Sequence, residues 1–75
     1  MKVKVFGRLI EICESNYVEI DFVDSVELLK NSMETRFPLL KQHKYFIAID
    51  KVISGSNDLI KPDSEIAFMP PYSGG

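Results

Sequence analysis

Apolar and polar residues alternate along Lys2-Val3-Lys4-Val5-Phe6, the period-two pattern of a strand with one wet face. Val3 and Val5 share one face, and Lys2, Lys4 and Phe6 share the other. A second alternating run spans Tyr17 to Phe22. It sets Val18, Ile20 and Phe22 against Tyr17, Glu19 and Asp21 and reads as an antiparallel partner of the first. Between them Gly7 to Asn16 reads as a connection, with Ile10, Ile12 and Cys13 in one irregular turn.

The period then changes. Asp24-Ser25 opens a helix, because either side chain can accept a bond from an orphan N–H, and Asp24 with Glu27 fits a capping box. Val26, Leu29 and Met33 follow helical spacing, and Phe37 extends the stripe. Glu27, Lys30, Asn31, Glu34 and Thr35 fall on the wet side. Pro38 ends the helix, since the residue before proline avoids the α region.

Tyr45 to Asp50 predicts a third strand with Ile47 and Ile49 inward. Lys51-Val52-Ile53 continues it or begins a short hairpin. Ser54-Gly55-Ser56-Asn57 and Pro62-Asp63-Ser64 read as turns. Leu59-Ile60 is a short strand or an apolar anchor. Glu65 to Met69 predicts the last strand, with Ile66 and Phe68 inward and Ala67 and Met69 outward. Pro70-Pro71 ends ladder pairing, because proline has no N–H to give. The order β-β-α-β-(β)-β predicts an α+β fold, one main helix over a sheet of four or five strands.

Composition narrows the function. The 75 residues make one domain, with 45% hydrophobic residues and a net charge of −2. Scattered basic residues argue against nucleic acid. No stretch approaches a membrane span, and the alternating N-terminus does not read as a signal peptide. The lone Cys13 suits a reducing, cytoplasmic setting.

Residues 1–69 then read as the folded domain and residues 70–75 as an extended tail. Terminal glycines bury nothing and lose more backbone entropy on ordering than any other residue. Pro70-Pro71 favours polyproline II and launches Tyr72-Ser73-Gly74-Gly75 outward. Fully extended, Pro70 to Gly75 reaches roughly 20 Å. Without Cβ atoms, Gly74 and Gly75 can thread a narrow channel. A carboxylate at Gly75 becomes an acyl donor only after activation, for instance as an acyl-adenylate, from which sulfur could displace AMP. No GxxxxGK[ST] loop is present, so ATP is consumed by a partner enzyme, and the chain itself needs no bound cofactor or metal.

Ala67-Phe68-Met69-Pro70-Pro71-Tyr72-Ser73-Gly74-Gly75, Phe6-Gly7 at the first strand end and Ser25-Val26 at the helix start resemble the ubiquitin-like sulfur carriers, above all the small subunits of molybdopterin synthase. The chain departs from that pattern at Ala48-Ile49-Asp50 and Asp63-Ser64-Glu65. The resemblance implies a β-grasp fold and a Gly75 that is adenylated and converted to a thiocarboxylate. It implies as partners an adenylating enzyme related to ubiquitin activators, a sulfur-donating enzyme and the synthase large subunit in a heterotetramer. The sulfur acceptor would be cyclic pyranopterin monophosphate, in molybdenum cofactor assembly. A thiamine-pathway carrier, a ubiquitin-like protein modifier and a non-covalent binding module stay open, although Pro70-Pro71 favours the molybdopterin branch.

Strand alternation adds an expected interface. Phe6, Phe46, Ala48, Ala67 and Met69 should form an exposed apolar area on the outer sheet face, bordered by Ile53. With Pro70, Pro71, Tyr72 and Ser73 these are the expected partner-binding residues. Cys13 reads as a small buried hydrophobe, and His43 lacks companion ligands for a metal.

Overall fold

The computed structural model describes residues 1–55 and 58–71. Five strands form one mixed sheet: β1 (Lys2–Val5), β2 (Tyr17–Glu19), β3 (Phe46–Ile49), β4 (Val52–Ile53) and β5 (Ile66–Met69). Their spatial order is β2-β1-β5-β3-β4. β1 and β5 pair in parallel at the centre, and the other pairs are antiparallel. Two helices, α1 (Leu9–Cys13) and α2 (Val26–Arg36), and a 3-10 turn (Pro38–Gln42) accompany the sheet.

α2 starts where Ser25, in extended conformation, accepts a bond from the Leu28 N–H at 3.2 Å. Ser25, not Asp24, is therefore the cap. Val26, Leu29 and Met33 are buried on the predicted stripe. They meet Val3, Val5, Val18, Ile47, Ile66 and Phe68 from the inner sheet face. Pro38 closes α2 and opens the 3-10 turn, whose Leu40 drops into the core.

Five expectations change. β1 ends at Val5, not Phe6, and β5 begins at Ile66, not Glu65. β2 stops at Glu19, short of the expected Phe22. Its last ladder pair is Lys2 with Glu19, and beyond it the Ile20 N–H still reaches the Met1 carbonyl at 2.9 Å. The expected irregular turn at Ile10–Cys13 is the helix α1, closed by Glu14 at φ 58°. β3 ends at Ile49 because Asp50 and Lys51 both take positive φ, 51° and 71°, as in the two-residue turn that joins β3 to β4. Leu59 makes a single bridge to Ser25, and Ile60 is the apolar anchor.

Candidate docking face and tail root

Register places the outer-face side chains in two rows. Tyr17, Lys4, Ala67, Ala48 and Ile53 stand side by side across the five strands. Phe46 stands opposite Met69 in the second row. Phe6 continues it from β1, its N–H donating to the Phe68 carbonyl at 3.0 Å. Phe6 is 40% exposed, Phe46 42% and Ile53 58%, while Ala67 and Met69 are half-buried.

Ala48 departs from the expected exposed area, being only 4% exposed. It faces outward by register and stays apart from the core cluster. Its single methyl is too short to emerge between the cross-strand neighbours Ala67 and Ile53. Ala48 is a floor for the patch, and contact falls to the longer side chains around it.

The second row leads to the tail root. Pro70 is half-buried and Pro71 exposed. Gly7, at φ +61°, has no side chain to block Pro70. A Cβ at that position would lie 2.9 Å from the Pro70 Cγ and 3.2 Å from its Cδ, closer than packed carbon atoms sit. The chain thus leaves β5 with its first proline laid over Gly7. Phe6-Gly7 carried part of the family resemblance, but the contact with Pro70 links the two ends of the sequence and has no local pattern. Tyr72, Ser73, Gly74 and Gly75 lie outside the described residues.

Pro71 borders a cleft with Lys30, Glu34, His43, Lys44, Tyr45 and Phe46. Tyr45 firms its wall, stacking on Phe68 with ring centres 5.0 Å apart and donating its hydroxyl to Glu34 Oε2. Burial, then the hydrogen bond and charge of Glu34, push the Tyr45 phenol pKa up, so it stays protonated at neutral pH. His43 is exposed in this loop, and among the described residues no three His, Cys, Asp or Glu side chains cluster as metal ligands. Among those residues no helix is long and apolar enough to cross a membrane.

Residues 3–75 match the model of the ThiS family. Among solved structures, a Pyrococcus furiosus protein described as molybdopterin converting factor subunit 1 superposes with a TM-score of 0.86 at 19% identity, over 95% of each chain. Small archaeal modifier protein 1 of Haloferax volcanii superposes with a TM-score of 0.81 at 18% identity, over 95% of each chain. A second crystal structure of that protein, SAMP1, gives 0.75 at 20% identity, over 99% of this chain and 97% of the other. The fold is therefore the ubiquitin-like β-grasp. The chain belongs to the ThiS family.

Proposed function

We propose that this ThiS-family chain is the sulfur carrier of a molybdopterin synthase. A separate enzyme related to ubiquitin activators joins the Gly75 carboxylate to the α-phosphate of ATP, releasing pyrophosphate. Sulfide-level sulfur from a donor enzyme then displaces AMP and leaves a C-terminal thiocarboxylate. Docked on the synthase large subunit in a heterotetramer, that sulfur attacks cyclic pyranopterin monophosphate. Water then frees the carrier with Gly75 again a carboxylate. Two such transfers build the dithiolene.

The observation that carries this reading is the family match running through residue 75, so that the Gly74-Gly75 ending falls within the family pattern. The apolar rows beside the tail root support it. Phe6, Phe46, Ile53, Ala67 and Met69 would hold the partner while Pro70, Pro71, Tyr72 and Ser73 carry Gly75 into its active site. The Pyrococcus furiosus likeness favours the molybdopterin branch. The likeness to small archaeal modifier protein 1 favours a second reading, attachment of Gly75 to a lysine of another protein. Both share the adenylation step.

Intact-mass measurement tests the reading after incubation with ATP, a sulfur source and an adenylating enzyme from the same genome. The expected product carries one sulfur in place of one oxygen, and Gly75→Ala lowers its yield sharply. Higher-mass conjugates instead support the modifier reading. An unchanged mass with every such enzyme, together with full activity after removal of Gly74-Gly75, rejects both.

A further inference from the structure

Two lysines project from the outer face of β1, and their surroundings differ. Lys2 faces Glu19 across the strands, and Glu65 stands beside it, one step before the Val3–Ile66 pair. Lys4 has Tyr17 on one side and Ala67 on the other. Its ammonium lies 5.6 Å from the centre of the Phe6 ring, a cation–π contact. Among the described residues the ion pair within salt-bridge distance joins the Met1 amino group to Glu19, at 3.2 Å, and leaves both lysines out, while the Lys2 ammonium lies 5.1 Å from the centre of the Tyr17 ring. Glu65 and Asp63 reach the shallow groove that Lys2, Lys4 and Tyr17 line, but neither carboxylate pairs with Lys4.

Lys4 is thus a cation with an aromatic neighbour inside the row that continues through Ala67, Ala48 and Ile53. A partner covering Phe6, Met69 and Phe46 strips water from that ammonium. An unpaired buried charge opposes binding strongly, whereas a carboxylate facing it offsets the loss and fixes register. Lys2 stands between Glu19 and Glu65 by register and away from the Phe6–Met69–Phe46 row, so it depends less on a counter-charge from the partner.

We infer that the outer face receives a protein partner that brings an Asp or Glu carboxylate to Lys4 from within its own apolar contact surface. This rests on the carrier reading and specifies the chemistry of its partner.

The test uses the adenylating enzyme that charges the wild-type chain, with affinities measured by calorimetry over a range of salt. Lys4→Glu should raise Kd about tenfold or more. Lys4→Met should weaken binding and flatten its salt dependence, while Lys2→Met stays within about twofold. A Lys substituted for the facing acid of the enzyme should restore binding to Lys4→Glu. Wild-type affinity and salt dependence in both Lys4 variants, or an equal loss in Lys2→Met, overturns the inference. Circular dichroism checks that the variants remain folded, as the exposure of Lys4 leads one to expect. Failure of the wild-type chain to be charged by any adenylating enzyme counts against the carrier reading itself, and normal charging with indifferent Lys4 variants counts against this inference alone.

Discussion

Cys13, the last residue of α1, is buried, and burial pushes its thiol pKa up against the smaller opposing pull of the Arg36 charge. A thiol held neutral is a poor nucleophile. Iodoacetamide at pH 8 should therefore label Cys13 at least about tenfold more slowly in the native chain than in urea, with mass spectrometry as the readout. The sign of the linkage follows. Because the folded pKa lies above that of an exposed thiol, stability from this group is present below the ordinary thiol pKa and falls as pH rises through and beyond it. Equal labelling in the two states would mean that Cys13 is accessible. That burial was legible in the sequence, since a lone cysteine among Ile10 and Ile12 has no activating neighbour. The cover over Ala48 was not, because alternation assigns a face to a side chain but cannot weigh one methyl against the neighbours around it. Gly7 escaped for a different reason. Its partner, Pro70, stands at the far end of the sequence, and only the sheet brings them together.

Among the elements, those with a clear period were read correctly and those whose limits depend on a partner were misjudged. α2 carries its own stripe and its own stop at Pro38. β2 looked longer than it is because Ile20 and Phe22 keep the alternation after the ladder with β1 has ended. α1, with Leu9, Ile10, Ile12 and Cys13 among its five residues, offers no period at all. The β3–β4 turn uses Asp50-Lys51 where such turns favour Asn-Gly or Asp-Gly, so the sequence left the hairpin as one of two readings. Lys51 at φ 71° is strained in a way glycine is not. Lys51→Gly should stabilise the domain by about 1 kcal/mol, less glycine's extra unfolded-state entropy, as read from urea midpoints. A clear loss of stability would show that the lysine side chain does more than occupy the turn.

The molecule as a whole separates an inner face that holds the fold from an outer face free to meet a partner. Phe6→Asp should accordingly weaken binding to the adenylating enzyme at least about tenfold while shifting stability by less than about 1 kcal/mol, seen in paired calorimetric and thermal-melt measurements. Unfolding of that variant would place Phe6 in the core. The one-helix, mixed-sheet plan was legible from the order of periods along the chain. The parallel pairing of β1 with β5 was not, since strand patterns carry no record of their neighbours. That pairing also governs when the protein comes into being. β5 sits between β1 and β3, and its Phe68 is fully buried, so synthesis must pass Met69 before the sheet can close. Phe6, one residue past β1, Phe46 of β3 and Met69 of β5 meet only through β5. A nascent chain interrupted anywhere earlier has neither a closed core nor the face proposed to meet a partner. A partner that required that face would therefore also require that translation had proceeded far enough to make the tail root.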